Sequence, residues 1–276
     1  MISRTLIQCA SLGLFLCASA TSQAATLLNV GDISFVGYSS TGTDQIAFVS
    51  WVNLDATTTI SFTDRGWRTS TNAFTQNPSE DPANAPLNLV PSDGNVVWTS
   101  GVAIPAGTII IATVQNNNPD TAIWNIGIST GDFGNTGLSS VGESLFAYQG
   151  SKSAPALLTG LYYNDSAWSA VDPGQYSTTP SQLPLVLNNA IGNIAVPSST
   201  AVKENGYYSG SFTNQGNLLD YRAQVLNRAN WTVSTTDPTD NLAGQFPTNK
   251  FTTAPEPSAA IFGLLGLVGL ARRRRN

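Results

Sequence analysis

From residue 30 onward, apolar residues recur at every second position or in short unbroken runs, and both patterns predict β-strands. Asp32–Gly37 opens the series. Gln45–Leu54 is long and rich in β-branched and aromatic residues, and Thr58–Thr63 alternates with period two. Further strands are predicted at Asn95–Thr99, Thr108–Val114, Thr121–Asn125, Ser144–Tyr148 and Leu157–Tyr163. Gly42, Gly66, Gly94, Pro105-Ala106-Gly107 and the Asn-Asn-Asn-Pro run at 116–119 supply the turns. Many short strands with such punctuation predict a mainly β chain folded as a sandwich. One segment carries helical period instead: Leu218, Tyr221, Val225, Leu226 and Ala229 line one face. Asn217 is placed to cap that short helix, and Trp231 after it is expected to pack back onto the strands. Trp51 and Trp98 lie inside apolar strand patterns and are expected in the core. Residues 70–93 and 172–200 read as long loops and 235–253 as a linker.

Composition narrows the chemistry. Charged residues are only 11% of the 276, against about a quarter in ordinary soluble domains. There is no histidine, and the two cysteines, Cys9 and Cys17, both fall near the N-terminus. Once that end is removed, the usual zinc, copper, haem and iron–sulfur ligand sets are excluded, as is a histidine base for a serine or cysteine nucleophile. Without disulfides the core has to hold the fold unaided. Five of the twelve basic residues are Arg4 and Arg272, Arg273, Arg274 and Arg275, so the remainder has seven bases against seventeen acids. Such an acidic body repels nucleic acid and attracts divalent cations.

The two ends read as addresses. Residues 1–24 combine Arg4, an apolar run from Leu6 to Ala20 and a small-residue site ending at Ala24, the pattern of a cleaved signal peptide and its helix. Leu16 before Cys17 disfavours a lipoprotein site, and the short, broken apolar run disfavours a permanent anchor. At residues 254–276, Pro255-Glu256-Pro257 precedes an apolar stretch, 259–271, and then the arginines 272–275. Thirteen helical residues span about 20 Å, short of a hydrocarbon core of about 30 Å, so the segment is a weak transmembrane helix. The arginines belong on the cytoplasmic side, with the rest of the chain outside. A conventional C-terminal anchor is the alternative.

This tail resembles the PEP-CTERM sorting signal: Pro255, Glu256 and Pro257, the Gly- and Leu-rich stretch Ile261–Leu270, and Arg272 to Arg275 stand in its order. The resemblance implies a bacterium of Gram-negative type that makes extracellular polysaccharide. It also implies processing by an exosortase and delivery to the cell surface or matrix after transient attachment to the inner membrane. Residues 25–234 form the cargo domain. Gly31–Tyr38, Asp44–Leu54, Ile60–Trp67 with its Phe62-Thr63-Asp64-Arg65-Gly66-Trp67 element, Gly142–Gly150, and the helix leading to Asn230-Trp231 resemble a family of secreted bacterial β-domains. Such domains are similar to the lamin-tail, immunoglobulin-like sandwich. Where that family has Asp after the glycine this chain has Glu143. The family implies a fold and no agreed activity.

Three chemistries deserve weighing. Trp67, Trp124 and Trp168 are candidates for stacking on sugar rings, against the ordinary alternative that they fill the core. No cofactor is expected in the first instance. Calcium is the exception kept open, because Asp64, Asp120, Asp132, Asp165 and Asp172 stand in loop-like contexts, although no EF-hand loop exists and Asp in turns usually bonds its own backbone. A glycosidase needs two carboxylates at a set separation, and no spacing singles out a pair. Arg65 beside Asp64 reads as an ion pair that fixes a loop. The expectation is therefore a non-enzymatic exported protein, structural, adhesive or polysaccharide-associated. The alternatives are a carbohydrate-active hydrolase and a calcium-dependent sugar-binding module.

Overall fold

The computed structural model describes residues 24–80, 83, 93–115, 119–134, 137–163, 165–177, 180–188, 191–196, 204–234, 242–246 and 250–253. The signal segment before Ala24, and the tail with Pro255, Glu256, Pro257 and Arg272 to Arg275, lie outside them. Among the described residues no helix is long and apolar enough to cross a membrane.

The chain is mainly β. In order the strands are β1 (Ile33–Ser39), β2 (Gln45–Ser50), β3 (Thr59–Thr63), β4 (Trp67–Arg68), β5 (Ala73–Phe74), β6 (Asn95–Thr99), β7 (Ile109–Gln115) and β8 (Thr121–Trp124). They continue as β9 (Ile128–Asp132), β10 (Ser144–Ser151), β11 (Ala154–Tyr162), β12 (Asn193–Ala195), β13 (Asn205–Tyr208), β14 (Thr213–Gln215), β15 (Trp231–Ser234) and β16 (Thr252–Thr253). Among the described residues the α-helices are α1 (Leu218–Val225) and α2 (Leu242–Gln245). One six-stranded sheet runs β15-β13-β1-β2-β7-β8, and a second runs β12-β11-β10-β3-β6-β9. Pairing within them is antiparallel except for β11 with β12, which makes the second sheet mixed.

Both sheets feed one core. Phe48 on β2 lies 4.9 Å from Phe62 on β3 and 5.4 Å from Trp98 on β6, and Phe35 on β1 reaches Phe62 at 6.1 Å. Every residue of β1 and β2 is buried, which fits the unbroken apolar run 46–49: the centre of the first sheet is covered on both faces. Its outer cover is the C-terminal stretch. Leu242, Phe246 and Phe251 are all buried, and Phe251 packs against Trp51, Tyr208, Phe212 and Tyr221. This corrects the expected linker at 235–253, of which the described part, 242–246 and 250–253, belongs to the fold. The second sheet is covered by a separate cluster of Trp67, Phe74, Phe146, Tyr148, Leu157 and Leu187.

Most expected strands stand within a residue or two of their expected ends. β2 stops at Ser50, four residues early, because Trp51 N–H turns to Asp32 O and Leu54 pairs with Ile104 in an isolated bridge. β9 had no apolar signal because it is an edge strand whose side chains are largely exposed. The helix begins where expected, with Asn217 accepting from Asp220 N, but it ends at Val225. Ala229 is therefore off the helix, exposed in a 3-10 turn at Arg228–Asn230. Trp51 and Trp98 are core residues, as expected.

Candidate functional site

Three acids flank the ends of three neighbouring strands. Asp64 follows β3, Asp93 stands two residues before β6, and Glu143 immediately precedes β10. Because β3 lies between β10 and β6 and is antiparallel to both, its C-terminal end sits beside their N-terminal ends. Sheet order thus gathers residues up to 79 positions apart in the chain at one rim. A carboxylate oxygen from each lies within 4.8 Å of the other two, and all three residues are buried, at 0%, 4% and 2% exposure for Asp64, Asp93 and Glu143.

Backbone groups hold the carboxylates in place. Gly94 N–H donates to Asp64 Oδ1 at 2.7 Å, and Ser139 N–H donates to Glu143 Oε2 at 2.9 Å. The Tyr163 hydroxyl donates to Ser139 O at 3.1 Å and lies 3.4 Å from the same Glu143 oxygen, with its ring stacked on Tyr38. Asp64 Oδ2 has no hydrogen-bond partner, although the side chain is fully buried.

The neighbouring cation is committed elsewhere. Arg65 makes a two-pronged pair with Glu80, 2.9 Å from Nη1 and 3.1 Å from Nη2, and also donates to Thr75 O and Asp93 O. The expected pairing of Arg65 with Asp64 is thereby corrected: the fork faces Glu80, where it matches a carboxylate in plane. Lys152 joins Glu80 from the other side. Burial works against the Glu80 charge, but the Lys152 and Arg65 contacts outweigh it and hold its carboxyl below the usual range. In the cluster the balance is opposite. Burial, then the neighbouring Asp93 charge, pushes the Asp64 carboxyl well up, and burial followed by Asp64 and Asp93 does the same to Glu143. Three like-charged groups buried together need protons or a cation.

The residues singled out from sequence are scattered. Asp64 is in the cluster; Asp120, Asp132, Asp165 and Asp172 are not among its members. Asp132, Asp165 and Asp172 accept from the backbone N–H groups of Gly134, Ser166 and Gly174, the turn role that was the alternative to calcium. Asp172 also binds Arg68 and Ser70. Trp67 and Trp124 are core residues, and this corrects their candidacy as sugar platforms. Trp67 packs on Phe74 at 5.0 Å, and Trp124 is wedged among Phe48, Phe62 and Trp98. Trp168 is half-buried, stacked on Tyr162 at 4.9 Å with its indole N–H on Asn193 Oδ1. Ala24 is exposed at the start of the described chain. Asp93 was missed within an expected loop, and Glu143 was noted only as a departure from a resembled pattern. The one legible signal was that each acid lies within two residues of a strand end.

The chain matches no family model, no curated protein and no solved structure.

Proposed function

We propose that the chain is an exported, non-enzymatic protein of the cell surface or extracellular matrix, sorted through a PEP-CTERM-type tail and associated with polysaccharide. An exosortase-type enzyme would read Pro255, Glu256 and Pro257 while the apolar helix and Arg272 to Arg275 hold the chain in the inner membrane. The two sheets sharing one core favour a sandwich of immunoglobulin-like, lamin-tail type for the cargo.

The observation that carries the non-enzymatic part is the depth of the acidic cluster. Its raised carboxyls resemble those of a hydrolase site, but a glycosidase has to bring two carboxylates to opposite sides of a sugar. Here all three are buried. Among the described residues, two surface hollows have no acid in their lining: one is bounded by Ser39, Asn205, Tyr207 and Leu242, the other by Ala106, Leu218, Lys250 and Phe251. Trp168 is the one of the three tryptophan candidates that is not buried.

The test incubates the purified protein with polysaccharide from the producing cells and follows retention and release of reducing ends together. Retention without cleavage is the expected result, weakened in Trp168→Ala. Release of reducing ends would establish the hydrolase alternative. Sorting is tested by Glu256→Ala, expected to accumulate uncut in the membrane fraction; normal processing of that variant would defeat the tail reading.

A further inference from the structure

We infer that Asp64, Asp93 and Glu143 hold a calcium ion that ties the ends of β3, β6 and β10 together. The inference goes beyond the export reading and does not depend on it.

Three observations carry it. The donors converge: one oxygen from each carboxylate lies within 4.8 Å of the others, close enough to share one ion. The cluster is buried, unlike the solvated acidic patches that need no counter-ion. Asp64 Oδ2 is a fully buried oxygen with no hydrogen-bond partner, which is costly unless a ligand meets it.

The chemistry selects the ion. Every donor is a carboxylate oxygen, which suits a hard cation and not a thiophilic or imidazole-seeking one. Three buried carboxylates carry six oxygens, two of which also accept from backbone N–H groups. Calcium accepts six to eight such ligands in flexible geometry, whereas magnesium gives up its water reluctantly and demands an octahedron. The Gly94 and Ser139 N–H groups occupy Asp64 Oδ1 and Glu143 Oε2, which fixes the carboxylate planes before any ion arrives.

The experiment uses the full chain in mild detergent, stripped with chelator. Melting is followed with excess chelator, with calcium and with magnesium, and the calcium stoichiometry is measured by titration calorimetry. One calcium per chain is expected, with a rise in Tm of about 5–10 °C at a hundredfold excess over its dissociation constant. Asp64→Asn and Glu143→Gln are expected to lose that rise, while Asp172→Asn, at the surface, keeps it. If a cluster variant does not fold, the wild type still decides. Equal Tm in chelator, calcium and magnesium overturns the site, and a larger rise with magnesium overturns the choice of ion. Retention on polysaccharide is a separate readout, so failure of one reading leaves the other standing.

Discussion

Gly94 donates its N–H to Asp64 Oδ1 at 2.7 Å while its Cα is pressed against the backbone of the 132–134 turn, where a Cβ would come within 2.0 Å of Asp132 O. The residue that orients the buried acid is therefore one that tolerates no side chain. Thr63 Oγ1 reinforces the contact by donating to Gly94 O at 2.6 Å.

Gly94→Ala should displace either the turn or the strand end, because the obstacle is backbone on both sides. The expected cost is about 3 kcal/mol, at the upper end for an overpacked site. A shift of the denaturant midpoint at unchanged slope would measure it. A neutral result would mean that the 132–134 turn yields freely.

Arg65→Ala should cost about 3 kcal/mol. It removes a buried cation, leaves Glu80 with Lys152 and the Asn77 N–H, and takes one donor each from the Thr75 and Asp93 carbonyls. Arg65→Lys keeps the charge but not the fork, and is expected to recover less than half of the loss. Full recovery by lysine in the same unfolding assay would show that charge alone matters.

Phe251→Ala should cost about 3–5 kcal/mol, since it opens a cavity among Trp51, Tyr208, Phe212 and Tyr221. Tyr221 also donates its hydroxyl to Thr252 O at 2.6 Å, which fastens this strand to α1. Truncation before residue 242 should be worse than the point variant. A truncated protein with unchanged Tm would restore the linker reading.

Asp44 provides a pH test away from the acidic cluster. Burial pushes its carboxyl up to about 6, Asp120 adds to the rise, and the Leu138 N–H on Oδ2 opposes it. An unfolded Asp titrates near 4, so between about pH 4 and 6 the folded state keeps a proton that the unfolded chain has released. The stabilising contribution is then complete below pH 4 and declines as pH rises to 6, with a total on the order of 2 kcal/mol. Asp44→Asn should be more stable than wild type at pH 7.5 by that amount, with the gap closing toward pH 4. Unfolding curves across this range would reveal it, and a gap independent of pH would refute it.

The local pattern along the chain was sufficient for most of the strands. Thr59–Thr63 and Asn95–Thr99 alternate, and β-branched runs such as Ile109–Ile111 favour the extended conformation in a packed sheet. The cap at Asn217 was equally local. The edge strand β9 and the C-terminal cover were not legible. Ile128–Asp132 has no apolar face to show, and the run containing Leu242, Phe246 and Phe251 is too sparse to have a period.

The sequence by itself determined the β character, the absence of histidine, the confinement of cysteine to the first residues, and the acidic balance that leaves oxygen donors as the available metal ligands. Only the tertiary structure decided which acids meet. Asp64, Asp93 and Glu143 share no motif and no fixed spacing; they converge because antiparallel pairing sets the end of β3 beside the starts of β6 and β10. Burial was decided at the same level. Trp67 and Trp124 differ from Trp168 in what packs over them, and that depends on elements remote in the chain.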